Sequence, residues 1–145
     1  MAFGGTLRSA NSPSVTPYGI GGDANTIWHC DRSTDKIYEL SKKYPEIERF
    51  NLRSQLISSV TSIPLNIAEG SGRGSKKDFA RYIRTALGSL LETDTNLKIS
   101  IRRKYLSEED YALVDKNIEM LYYKLISFER VLKTKHQTST KPQTH

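Results

Sequence analysis

Residues 107–132 read SEEDYALVDKNIEMLYYKLISFERVL, and this stretch decides the fold. Ser107 supplies a hydroxyl that accepts from free amide groups, and Glu108, Glu109 and Asp110 then complement the positive end of a helix dipole. Tyr111, Val114, Ile118, Leu121, Leu125, Phe128 and Leu132 recur at alternating steps of three and four. On an α-helix that spacing gathers one apolar stripe. A helix with one such stripe needs other elements to cover it.

The covering elements lie upstream. Ser75 suits an N-cap, with Asp78 placed to reach back as in a capping box. Phe79, Ile83, Ala86, Leu90, Leu97 and Ile101 continue one face and predict a helix to about Lys104. Its interior glycine, Gly88, costs up to about 1 kcal/mol against alanine, so its presence predicts close approach by another helix. Before it, Leu52, Leu56, Val60, Ile63 and Ile67 share helical spacing, and Pro64 predicts a kink or break near Val60 to Ile63. A first helix from about Ala24 to Lys43 has a weaker stripe of Ile27, Thr34, Ile37, Tyr38 and Ser41. Tyr44-Pro45 ends it, because the residue before proline resists the α region. No stretch alternates with period two between turn signals. These patterns predict an all-α protein: an antiparallel, up-down four-helix bundle over residues 24–135.

The ends differ in composition. Residues 1–23 hold five of the chain's nine glycines, Pro13, Pro17 and, up to Gly22, a single charged residue, Arg8. Such a segment cannot bury enough surface to offset its ordering entropy and reads as a flexible leader, of the kind an upstream start adds. Residues 136–145 read as a disordered basic tail, continuing from Lys133 and Lys135 to Lys141.

The chain has 145 residues and a formal charge of +6, which makes an anionic partner plausible without bearing on fold. A lone cysteine, Cys30, rules out a disulfide framework and points to a reducing compartment. No apolar run spans a bilayer, and no basic region with an apolar block opens the chain, so the expected location is the cytoplasm.

Enzymatic chemistry finds little support. The histidines are His29, His136 and His145, with no spacing that would set carboxylate–histidine metal sites facing into a bundle. Cys30 follows His29 directly, and neighbours on a helix diverge by about 100°, so they do not form a nucleophile–base pair by adjacency. The expectation is a protein with no enzymatic activity, no metal, no cofactor and no small-molecule substrate.

Two kinds of residue stand out. The run Ser62-Ile63-Pro64-Leu65-Asn66-Ile67-Ala68-Glu69-Gly70 leads into Ser71-Gly72-Arg73-Gly74-Ser75-Lys76-Lys77. Asn66 and Glu69 share a helix face. They either satisfy backbone groups around Pro64 and the turn at Gly70, or make an intersubunit contact with Gln55 or Glu92 among the partners. Basic residues form three clusters. Arg73, Lys76, Lys77, Arg81 and Arg84 surround a helix start, where free amides attract anions. Lys98, Arg102, Arg103 and Lys104 close the same helix, and Arg130 to Lys141 ends the last one. Each is either a solvated helix terminus or a phosphate contact, and phosphate binding needs two clusters on one face. Nucleotide-loop motifs are absent. Tyr122 and Tyr123 adjoin and cannot both face one core. Trp28 reads as a packing anchor.

The motif resembles that of the 23S rRNA intervening-sequence protein family, bacterial four-helix-bundle proteins. That family's pattern has a glutamine, then S-I-P-x-N-I-A-E-G, a Gly/Arg/Ser loop, an aromatic, and A-x-G-S-x-x-E. Gln55, Ser62 to Gly70 (Pro64, Asn66 and Glu69 among them), Arg73, Ser75, Phe79, Ala86, Gly88, Ser89 and Glu92 match it. Glu92-Thr93-Asp94 stands where the family has Glu-Leu-Glu, so Thr93 is expected to soften the core or an interface. The resemblance implies a self-associating bundle, a homopentamer in known examples, with no known catalytic activity. More distant kinship to the accessory protein of diversity-generating retroelements implies RNA, DNA or a reverse transcriptase as partner. The contrasting expectation is an interaction scaffold that binds no nucleic acid.

Overall fold

The computed structural model describes residues 21–139, with side chains placed for residues 30 and 32–134. Four helices account for nearly all of it: α1 (Gly21–Ser41), α2 (Leu52–Ser71), α3 (Lys76–Arg102) and α4 (Glu108–Ser139). A 3-10 turn, Glu46–Glu48, joins α1 to α2, and no strand occurs among the described residues. The leader through residue 20 and residues 140–145 lie outside the described residues. Helix α4 runs several residues past the expected end of the bundle, and α1 begins three residues before Ala24.

The helices form a closed square in which α2 packs on α3, α3 on α4, and α1 on both α2 and α4. Neighbours are antiparallel, as the bonds between α2 and α3 show. Ser62 Oγ meets Ser89 Oγ at 2.9 Å, Thr93 donates to Ser59 at 2.9 Å and Asn96 to the Leu52 carbonyl at 3.0 Å. As α3 numbers rise, α2 numbers fall.

Local chemistry sets each helix end. Ser107 Oγ accepts from Asp110 N–H at 3.0 Å, and Asp110 accepts from Ser107 N–H at 3.0 Å, so α4 opens with a complete capping box. At α3, Ser75 Oγ accepts from Asp78 N–H, while the Asp78 carboxylate takes Arg81 instead of reaching back. Helix α3 ends with Lys104 at φ 65, in the left-handed region. There Lys104 N–H donates to Ile101 and Tyr105 N–H to Ser100, the paired bonds of a Schellman ending.

The core follows the stripes. On α4, Val114, Ile118, Leu121, Leu125 and Leu132 are buried, with Tyr111 and Phe128 packed against them. Leu56, Val60, Ile63 and Ile67 of α2 and Phe79, Ile83, Ala86, Leu90 and Leu97 of α3 complete it. Phe79 meets Phe128 edge-on at 5.0 Å. On α1 the buried face is Cys30, Ser33, Ile37, Leu40 and Ser41, and Tyr38 turns outward. The side chains of Trp28 and His29 lie outside the described residues.

Two expectations change, and Thr93 finds its place. Pro64 does not break α2, which runs unbroken through it. A proline removes a single amide from the ladder, the one that would bond the Val60 carbonyl, and the turns on either side carry the helix through. Gly88 does not mark a close approach: it is exposed, and a Cβ there would meet nothing within 4 Å. The close approach is at Gly70, where a Cβ would stand 2.6 Å from that of Tyr82. Thr93 stands inside the core. It is fully buried, and its hydroxyl lies 2.9 Å from both Ser59 Oγ and the Ser89 carbonyl oxygen. It belongs to a polar seam that continues through Asn96, Ser100 and Tyr44, whose hydroxyl bonds Ser100 and Asn96. Burial raises the Tyr44 pKa, which keeps the phenol neutral in the seam.

Candidate nucleic-acid interface

The antiparallel docking of α3 and α4 brings two of the three basic clusters to one end of the bundle. Arg84 Nη2 donates to Glu129 Oε1 at 2.6 Å, and Lys133 Nζ stands 3.4 Å from the same oxygen. The last described turns of α4 therefore lie beside the first turns of α3. That end collects Arg73, Lys76, Lys77, Arg81, Arg84, Arg130 and Lys133, against the carboxylates Glu69, Asp78 and Glu129.

Within it, several cations are held. Arg73 stacks over the Tyr82 ring at 5.1 Å and donates to the Tyr82 hydroxyl at 2.5 Å and to Glu69 at 2.8 Å. The Tyr82 bond first, and Glu69 second, raise its already high pKa. Arg81 pairs with Asp78 at 3.2 Å. Arg73, Asp78, Arg81 and Tyr82 line a shallow concavity of about 250 Å³. Ion pairs this exposed are weak, so a phosphate can compete for either arginine. Glu129 differs: its side chain is 9% exposed and holds Arg84 firmly. Lys76 and Lys77 make no ion pair among the described residues and sit in the first turn of α3, whose amides point outward.

The remaining cluster is separated from this one. Helix α3 has 27 residues, so its ends stand roughly 40 Å apart at 1.5 Å per residue. Arg102, Arg103 and Lys104 are exposed at the far end, and Lys98 is tied to Asp94 at 2.8 Å, which raises its pKa. Within one chain, Lys98 to Lys104 thus lie apart from the start of α3, while Arg130 and Lys133 of the last cluster lie beside it. The far end is also mixed in sign, with Lys42–Glu39, Lys43–Asp110 and Arg49–Glu46 pairs.

The motif residues divide between interior and surface. Asn66 binds Ser62 through both its carbonyl and its hydroxyl, and that hydroxyl bonds Ser89. Glu69 takes Arg73 and Tyr82, and Gly70 is buried against Tyr82. Gln55 and Glu92 face a groove between α2 and α3. Among the described residues, no group of three or more His, Cys, Asp or Glu is placed to hold a metal, and no helix is long and apolar enough to cross a membrane.

Fold and motif together define a four-helix-bundle protein with a cationic end. The chain belongs to the 23S rRNA-intervening sequence protein family, which matches it over residues 25–127. It is similar to a crystal structure of a protein of unknown function from the S23 ribosomal protein family of Bacteroides thetaiotaomicron. The two share 28% identity and a TM-score of 0.66, over 72% of this chain and 97% of that one. No curated protein matches the chain.

Proposed function

We propose that the protein is a non-enzymatic, self-associating nucleic-acid-binding module of the cytoplasm that contacts RNA or DNA phosphates through the end where α3 begins and α4 finishes. The observation that supports this most is the gathering there, among the described residues of the α2–α3 loop, α2, α3 and α4, of seven cations against three carboxylates. Such a patch recognises backbone charge first, so the expected binding is weakly sequence-selective. A reverse transcriptase working on the bound nucleic acid is the protein partner that fits this role. Neutralising phosphates releases counterions, so log affinity should fall linearly with log salt. Titration of a 23S rRNA hairpin and a matched DNA duplex across a salt series tests the reading. Steep salt dependence supports it, and no binding at low salt overturns it. In that case the exposed apolar residues of the far end favour an interaction scaffold.

A further inference from the structure

Two large apolar side chains project far into solvent. Ile47 is 78% exposed and Phe50 is 83% exposed, both at the α1–α2 corner. The Arg49 guanidinium stands 5.4 Å from the Phe50 ring centroid. The corner's acids are occupied: Glu46 pairs with Arg49, and Glu48 accepts from the Tyr105 hydroxyl and the Leu52 amide. Beside it, Arg102, Arg103 and Lys104 make no ion pair among the described residues. The corner is therefore an apolar knob rimmed by available positive charge.

A different face carries the complement. Between α3 and α4 lies an open concavity of about 220 Å³, walled by Leu91, Tyr122 and Tyr123 and bordered by Asp94, Asp115, Glu119 and the single cation Lys98. Leu91 is 50% exposed and Tyr123 60%, and the two tyrosine rings meet edge-on at 5.5 Å. Asp94 is used by Lys98 and by the Tyr111 hydroxyl at 2.6 Å; Asp115 faces the same two groups without a direct ion pair, and Glu119 makes no ion pair among the described residues. An aromatic socket whose rim carries three carboxylates against the single cation Lys98 suits an aromatic side chain accompanied by cations.

We propose that the knob of one copy, Phe50 with Ile47, inserts into the α3–α4 socket of a second copy, with the knob's cations facing Asp115 and Glu119. This deepens the self-association reading by naming both surfaces. Because knob and socket are different patches, the contact is heterologous and propagates from copy to copy into a ring or an open chain. It also gives the Arg102 to Lys104 cluster a role apart from nucleic acid.

The experiment uses the full chain and reads mass by sedimentation. Ile47→Glu with Phe50→Glu disables the knob, and Leu91→Arg with Tyr123→Glu disables the socket. All four residues are exposed, and circular dichroism confirms folding. Each double variant alone is expected to sediment as a monomer. An equimolar mixture keeps one good knob and one good socket, and is expected to form a dimer that grows no further. A monomeric wild type would overturn self-association itself. A wild-type oligomer that either variant leaves intact would overturn only this pairing, and so would two monomeric variants that fail to complement.

Discussion

Gly70 of α2 and Tyr82 of α3 touch backbone to side chain: a Cβ on Gly70 would lie 2.6 Å from that of Tyr82. Tyr82 in turn carries the Arg73 guanidinium. The close approach of two helices therefore sets where the loop's arginine rests. Gly70→Ala is expected to lose about 2 kcal/mol by overpacking. Gly88→Ala, at an exposed helical site with open space, is expected to gain up to about 1 kcal/mol. Urea denaturation midpoints moving in opposite directions would show both, and equal losses would show the outer face of α3 to be as crowded as Gly70.

Lys104 occupies the left-handed position of the α3 ending at φ 65. A side chain there costs about 1–2 kcal/mol that glycine does not. Lys104→Gly is expected to raise stability by about 1 kcal/mol, which thermal unfolding at fixed protein concentration measures. An unchanged or lower midpoint would mean that the lysine side chain stabilises the fold in compensation.

Asp110 joins two elements, receiving Lys43 from the end of α1 at 2.7 Å and the Ser107 amide. The Lys43 bond first, then the Ser107 amide, hold its pKa below the ordinary aspartate value. A depressed carboxylate stabilises the fold fully above its unfolded pKa, and that contribution disappears as pH falls through the folded one. Asp110→Asn is expected to cost about 1 kcal/mol at neutral pH and to flatten the loss of midpoint in acid. Parallel midpoint–pH curves for wild type and variant would contradict this.

The helices were legible because each stripe repeats over several turns, and Ser75 and Ser107 announce their own starts. The α4 stripe from Tyr111 to Leu132 matches the buried face. What local pattern does not carry is which helix ends meet. Arg84 and Glu129 are 45 residues apart in sequence, and their pairing exists because α3 and α4 run antiparallel. Ser59, Thr93, Asn96 and Ser100 look like surface residues, yet they satisfy one another across the α2–α3 seam. Gly88 misled for a related reason: glycine in a helix implies close packing only if its side faces a neighbour. The basic clusters were visible as composition, and their division between two ends was not.

If phosphates bind at one end of the bundle, the place of a lost charge matters more than its number. Lys76, Lys77 and Lys133 at that end, and Lys36, Lys42 and Lys104 toward the other, can each be changed to glutamine as sets of three. The sets alter net charge equally and differ only in place. The measurement is the slope of log affinity for a 23S rRNA hairpin against log salt. The first set is expected to weaken binding and to lower the slope by about 1 for each phosphate no longer neutralised, while the second leaves the slope near that of wild type. Equal weakening by both sets would mean that binding follows net charge alone and would contradict the account.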